Sequence, residues 1–156
     1  MTETALPIAW PDLAGRIVDG RHVLPIRVYF EDTDFSGVVY HASYLRFMER
    51  GRSDYMRLSG ADHADLFEGD DPVAFAVRRM TISYERPAGI DDILTVETRT
   101  KEMRGASMVL AQRVLRGEEV LVTADVQVAL VARSGRARRI PTALRRILGE
   151  AVEDEV

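Results

Sequence analysis

Apolar residues recur at spacings of three and four between residues 41 and 58, which predicts a helix of about five turns with one buried face. The stripe consists of Tyr44, Phe47, Met48, Gly51, Tyr55 and Leu58. Gly51 lowers helix propensity by about 1 kcal/mol relative to Ala, so we expect another backbone to approach the helix closely there. The helix should therefore be buried along its length.

After Pro72 the apolar period changes from 3.6 to 2, which predicts β-strands. The first of them switches its apolar face at Arg78 and Arg79, a pattern typical of a β-bulge. Short turns then separate three further strands at about 94–98, 107–115 and 120–130. With an earlier strand at 23–30 this gives five strands, and the short turns predict antiparallel neighbours.

The pattern divides the chain into an arm at 1–22, a folded domain at 23–150 and an acidic tail at 151–156. A short C-terminal helix is predicted from Thr142 to Leu148, after Pro141. The fold class is α+β: a five-stranded antiparallel sheet, one long helix across it and the short C-terminal helix. Because a single helix covers only part of the sheet, we expect a second copy of the chain to cover more.

The composition of the chain argues against some classes of protein. The net charge of −4 and a pI near 5.4 argue against a surface that binds nucleic acid. The absence of cysteine fits a reducing cytoplasm, and no apolar run approaches the ~20 residues that span a bilayer. Six arginines crowd one stretch near the C-terminus, either as a solvated turn and helix end or as a phosphate-binding group: Arg133, Arg136, Arg138, Arg139, Arg145 and Arg146.

The loop at 31–39, between the first strand and the helix, concentrates the candidate chemistry. Asp32 and Asp34 either accept backbone hydrogen bonds in a turn or do chemistry. The segment from Asp32 to Gly37 matches the opening of a calcium-binding EF-hand loop, but Ser43 stands where a bidentate Glu is required. Neither G-x-S-x-G nor H-E-x-x-H occurs, and the scattered histidines do not support a metal hydrolase. We expect His22 and His63 at the surface.

Three runs carry a family resemblance: EDTDFSGVVYHASYLRFMERGR, VRRMTISYERPAGIDDILTVET and MRGASMVLAQRV. They resemble the hot-dog-fold thioesterases of the 4-hydroxybenzoyl-CoA thioesterase type, and within them the acyl-CoA thioesterase subfamily associated with the Tol-Pal envelope system. The similarity covers roughly residues 25–145. It implies a sheet wrapped around the long helix, in a homodimer or homotetramer with active sites between subunits.

The resemblance also implies roles for individual residues. Asp34 corresponds to the catalytic carboxylate, and His41 to the catalytic-site histidine at the helix start, where a helix-capping or core histidine is the alternative. Tyr40 and Glu49 correspond to nearby substrate-binding positions. Arg104 and Ser107 resemble the region that binds the nucleotide portion of coenzyme A. No metal and no separate cofactor is implied, because coenzyme A is part of the substrate.

The expected activity is hydrolysis of acyl-CoA or acyl-carrier-protein thioesters. A carboxylate at residue 34 can attack the thioester carbonyl or deprotonate a water, and the sequence does not choose between these. Backbone N–H groups at 39–41, at a helix start, would polarise the carbonyl oxygen. The alternatives are a hydratase or dehydratase acting on acyl thioesters, and a non-catalytic binding module in envelope maintenance. We expect a cytoplasmic protein, either free or peripheral to the inner membrane.

Overall fold

A computed structural model describes residues 10–60 and 70–153. Its elements in chain order are β1 (Arg16–Val18), β2 (Arg21–Arg27), a 3-10 turn (Phe30–Asp32), α1 (Ser43–Leu58), β3 (Val73–Tyr84), β4 (Ile93–Met103), β5 (Ser107–Arg116), β6 (Glu119–Ala132) and α2 (Thr142–Glu153). The six strands form one antiparallel sheet in the order β1-β2-β4-β5-β6-β3. The expected architecture is confirmed, with one correction to the strand count.

The sheet has six strands, so the prediction of five was wrong. The additional strand, β1, comes from the predicted arm and pairs with β2 through a two-residue turn at Asp19 and Gly20. Both turn residues have positive φ, 51° and 74°, as the tightest hairpins require. The sheet therefore begins at Arg16, ahead of residue 23, whereas the division into arm, domain and tail stays a prediction.

Helix α1 lies across one face of the sheet and buries Tyr44, Phe47, Met48 and Tyr55. Gly51 is buried in the same stripe, and a Cβ there would lie 2.8 Å from Val96 Cγ1. The close neighbours of Gly51 are thus side chains of the sheet, and the expectation of a second backbone at this point was wrong.

Strand β3 forms one edge of the sheet and pairs only with β6 among the described strands. Its register against β6 shifts between Val77 and Arg79, so the predicted bulge is confirmed. Because of the bulge, odd-numbered residues before it and even-numbered residues after it lie on the same face of β3, the face towards α1. On both sides of the bulge, the partners of these residues in β6 are buried. The β3 residues on this face are Phe75, Val77, Met80, Ile82 and Tyr84.

The C-terminal helix is confirmed at Thr142, and it continues past Leu148 to Glu153. It packs against β4 and buries Leu144 and Leu148. The expectation that His22 is a surface residue was wrong: β2 starts before it and turns it inward, where it is fully buried and its Nε2 lies 2.7 Å from the Ala14 carbonyl oxygen. His63 lies outside the described residues.

Candidate active site

The loop that follows the 3-10 turn presents Asp34 at the surface. The Asp34 amide donates to the Val38 carbonyl at 3.1 Å, and the Gly37 amide donates to the Asp34 carbonyl at 3.0 Å. Gly37 has φ of 85°, a conformation that glycine adopts without strain. The backbone is therefore held by its own hydrogen bonds while the carboxylate remains accessible.

The Asp34 carboxylate is held as an anion by its neighbour. Its Oδ1 accepts hydrogen bonds from the Ser36 hydroxyl at 2.5 Å and from the Ser36 amide at 2.8 Å. These two bonds lower the pKa of Asp34 below its usual value, and His41 adds a smaller effect of the same sign. Since one oxygen takes both bonds, the other is left for substrate or water.

Asp32 has a different task although it lies only two residues away. It is buried, its Oδ2 accepts a hydrogen bond from the Tyr29 amide at 2.8 Å, and its carbonyl oxygen accepts one from the Tyr40 amide at 2.9 Å. The Ser43 hydroxyl donates to the same carbonyl at 3.1 Å. Asp32 thus fixes the loop to the helix start, the structural role that turn chemistry predicts for a short acid.

His41 precedes the helix by two residues, so the expected helix start at 41 was early. Of the amides expected to be free, Val39 donates to the Ala88 carbonyl at 2.8 Å and Tyr40 donates to Asp32. The expectation that all three are unsatisfied was therefore wrong. Within 10–60 and 70–153, no backbone acceptor takes the His41 N–H, which leaves that donor beside the loop of Asp34.

Aromatic side chains surround the His41 ring. The ring of Tyr40 meets it edge to face at 4.5 Å between centroids, and that of Tyr84 does so at 6.2 Å. Tyr84 also donates its hydroxyl to the His41 carbonyl at 2.9 Å and packs against Tyr44. The end of β3 is therefore tied to the segment that leads into α1.

A cavity of about 260 Å³ opens at this point, with Val39, His41 and Tyr44 on one side and the segment 84–87 on the other. Tyr84 and Arg86, which the sequence analysis did not select, both contribute to its wall. The alternation of β3 already places Tyr84 on the inward face, so the pattern contained a signal for it. Nothing local marked Arg86, because its position depends on pairing of distant segments.

The remaining candidates lie away from Asp34 and His41 within one chain. Glu49 is exposed on α1 and lines a second groove, between the helix and the sheet. Arg104 and Ser107 flank the β4–β5 turn, where the Arg104 amide donates to the Ser107 carbonyl at 2.8 Å and the guanidinium pairs with Glu102. The start of β4 adjoins the Asp34 loop, and eleven residues of strand span roughly 35 Å. That turn is thus at the far end of the sheet.

No group of three or more His, Asp or Glu side chains in the described part of the chain is arranged to hold a metal ion. In the same residues, no helix is long and apolar enough to cross a membrane.

Comparison with known proteins decides the family. The model of the "Thioesterase superfamily" matches residues 36–123, more than half of the chain. The chain belongs to this superfamily. That confirms the resemblance to the hot-dog thioesterases and identifies the chain as an enzyme of thioester hydrolysis.

Individual relatives support the same assignment. The chain is 43% identical over 115 residues to "Acyl-CoA thioesterase YbgC" of Haemophilus influenzae, covering 74% of this chain and 84% of that one. It is 45% identical over 108 residues to "Acyl-CoA thioester hydrolase YbgC" of Escherichia coli O6:H1, covering 69% and 79%. A crystal structure of a probable thioesterase from Bartonella henselae is 47% identical with a TM-score of 0.71, covering 78% of this chain and 98% of that one. The hot-dog fold is confirmed.

Proposed function

We propose that this thioesterase hydrolyses acyl-CoA thioesters and that Asp34 is its catalytic carboxylate. The observation that carries the proposal is an exposed, ionised Asp34 carboxylate in the same loop as His41. His41 lines the cavity, and its N–H has no backbone acceptor among the described residues. An anion can attack or activate water, and a backbone donor can stabilise the oxyanion that develops on the carbonyl oxygen. YbgC relatives named as acyl-CoA thioesterases support the substrate class.

Two routes use these groups, and both end in free acid and thiol. In the first, the Asp34 oxygen adds to the thioester carbonyl, the C–S bond breaks, the thiolate takes a proton, and water cleaves the mixed anhydride. In the second, Asp34 removes a proton from water as that water attacks the carbonyl, the C–S bond then breaks, and the proton passes to the departing thiolate. The hydrogen bonds from Ser36 lower the pKa of Asp34, which weakens it both as a base and as a nucleophile, so this shift does not choose between the routes. Single turnover in isotopically labelled water separates the routes, since only the anhydride can place the label in Asp34.

The complete site is proposed to form between two copies of the chain. The rings of Phe30 and Phe35 beside Asp34 are largely or fully exposed, and so is Tyr29. Exposed aromatic rings next to a catalytic group and a twelve-residue open edge at β3 both favour coverage by a second copy. His41, with Tyr40 beside it, would then act within an enclosed pocket, and a homodimer, or a homotetramer of two such dimers, is the proposed assembly.

The phosphates of coenzyme A need cations. Arg86 lines the His41 cavity in the same chain, whereas Arg104 and Ser107 lie at the far end of the sheet. Arg104 shares a cavity of about 210 Å³ with Arg79 and Lys101. We assign the phosphate nearest the thioester to Arg86 and keep Arg104 and Ser107 as the proposed contacts of the adenine nucleotide.

A thiol-release assay on a panel of acyl-CoA thioesters tests this function, with Asp34→Asn as the decisive variant. The substitution keeps the volume of the side chain and removes its charge, so we expect kcat to fall by roughly 10²- to 10⁴-fold. Ordinary turnover in this variant would overturn the assignment of Asp34. Hydration of an enoyl thioester without thiol release would point to a hydratase, and binding without either reaction to a non-catalytic module.

Acyl-carrier-protein thioesters are a second proposed substrate, and the same assay with acylated carrier protein tests them. We further propose a cytoplasmic location, peripheral contact with the inner membrane and association with the Tol-Pal system, on the strength of the family resemblance in the sequence. Fractionation of cells that express the chain checks the location.

A further inference from the structure

The groove that contains Glu49 has two chemically different walls. Phe75, Val77, Leu110 and Val128 supply an apolar wall from β3, β5 and β6, and α1 supplies Glu49, Arg52, Ser53 and Met56. Its volume is about 150 Å³. A groove with one apolar wall and with an arginine and a glutamate on the other suits a ligand that is apolar along its length and polar at one end.

Arg52 is held in place from below. Gln112 is fully buried, and its Oε1 accepts a hydrogen bond from Arg52 Nη1 at 2.9 Å. The amide nitrogen of Gln112 donates to the Met48 carbonyl at 2.9 Å and to Thr98 Oγ1 at 2.8 Å. Because both donors of the amide are used, its oxygen has to face Arg52. The guanidinium is therefore pre-positioned at the groove.

Gly51 provides the space for this arrangement. A Cβ at residue 51 would lie 3.0 Å from Thr98 Oγ1 and 3.2 Å from Gln112 Nε2. Any side chain there would press on the buried amide and on Thr98, one of its two acceptors. The missing side chain of Gly51 is thus what lets Gln112 reach across to the helix.

Arg52 has more N–H donors than its hydrogen bond to Gln112 uses. It is half-buried, and burial lowers its pKa while the charge of Glu49 offsets part of that effect. Arginine stays charged in proteins and carries five N–H donors. Among the described residues, no carboxylate forms an ion pair with it, and the hydrogen bond to Gln112 is with a neutral group. A partly desolvated cation of this kind gains free energy from an additional oxygen acceptor.

The groove lies further along the same helix and strand than the cavity at His41, and among the described residues the two have no lining residue in common. Arg52 is nine residues into α1 from Ser43, which is about 13 Å along the helix axis. Along β3, Tyr84 lines the His41 cavity and Phe75 lines the groove, and both face α1. An acyl chain that starts at Asp34 and His41 and runs along this flank of the helix would bring its far end towards Arg52.

We propose that Arg52 is a specificity-determining residue that binds a hydroxyl group at the distal end of the acyl chain. The inference rests on the proposed hydrolysis of acyl-CoA by the Asp34 site. A hydroxyl can accept from Arg52 and donate to Glu49, whereas a terminal carboxylate would be repelled by Glu49 and a terminal methyl would leave Arg52 without an acceptor. The preferred substrates are thus acyl thioesters that carry a terminal hydroxyl and are long enough to reach Arg52.

The test compares sets of three acyl-CoA thioesters of equal acyl-chain length, which end in a methyl, a hydroxyl and a carboxylate group. At the chain length that reaches Arg52, we expect wild type to hydrolyse the hydroxyl-terminated member with roughly 10- to 100-fold higher kcat/KM than the methyl-terminated one, mainly through KM. Arg52→Met should bring that ratio close to one. Arg52→Gln, which keeps a polar partner for Gln112, serves if the Met variant does not fold.

Arg50→Met is the matched control. It removes the same charge from an exposed position of α1 that does not line the groove, although its own cavity also contains Glu49 and Ser53, and it should retain the wild-type ratio. A wild-type ratio near one at every length, a preference for the carboxylate, or an unchanged ratio in both Arg52 variants would overturn the inference. If wild type hydrolyses no acyl-CoA at all, the proposed function fails instead.

Discussion

The Tyr84 hydroxyl donates a hydrogen bond of 2.9 Å to the carbonyl oxygen of His41. Tyr84 is the last residue of the edge strand β3, and His41 directly precedes the turn into α1. Forty-three residues separate the two positions in sequence. The contact therefore fixes the candidate donor at His41 to the sheet rather than to its own loop alone.

Tyr84→Phe should loosen this connection without opening a cavity. A single hydrogen bond contributes about 1 kcal/mol to stability, so urea unfolding should show a loss of that order. We expect kcat to fall several-fold because the His41 amide is less well positioned. Unchanged kcat in a variant that has lost the expected stability would show that Tyr84 supports the fold alone.

Ser36→Ala should move the acid limb of the pH profile. The Ser36 bonds lower the pKa of Asp34, so the catalytic anion persists in wild type to a pH below the usual aspartate range, and activity declines only below it. Without the hydroxyl the pKa rises, and kcat/KM should begin to decline at higher pH. Profiles of both proteins over the acid range measure this, and coincident acid limbs would contradict it.

Substitutions of Arg86 and Arg104 should differ in whether their effect on KM requires the nucleotide of coenzyme A. If Arg86 contacts the phosphate nearest the thioester, Arg86→Ala should raise KM for acyl-CoA and leave kcat nearly intact. Arg104→Ala should likewise raise KM and leave kcat nearly intact if the nucleotide reaches Arg104. Added salt shortens the Debye length, which is about 10 Å at 0.1 M, so it should reduce the effect of both substitutions on KM. Thioesters that lack the nucleotide provide the control for Arg104.

Phe35→Asp should separate assembly from folding. The ring is fully exposed in the single chain, so its replacement should not lower the stability of the fold. If a second copy covers it, the variant should dissociate at micromolar concentrations where wild type is dimeric, as light scattering would show. Activity should return as the protein concentration rises. A wild-type monomer at those concentrations would refute the shared site.

Periodicity was enough to predict the parts of the fold that bury a continuous face. The change of face at Arg78 and Arg79 appears where expected, and so does the stripe of α1 except at its end, where Leu58 is exposed. Strand β1 escaped prediction because all three of its residues are exposed, so it shows no alternation; the Asp19-Gly20 pair was the available signal.

The candidate site was predictable only as far as its motif is continuous in sequence. Asp34 and His41 come from one loop, and the structure brings them together. Which acid is structural follows from burial: Asp32 is enclosed and bonded to backbone, a property that two aspartates in one motif do not reveal. Arg86 and the Arg52–Gln112 pair depend on contacts between distant segments, which local pattern cannot supply.

The two edges of the sheet differ greatly in length, and this limits how copies can add to one another. At one edge lies β1 with three residues, at the other β3 with twelve. If two copies pair through β3, each uses its long edge, and the pair then presents only the short β1 strands at its ends. Three residues offer too little hydrogen bonding to extend a sheet indefinitely. In such a pair, growth by strand addition would stop at two chains, and the geometry that closes the pair would also protect it from fibre formation.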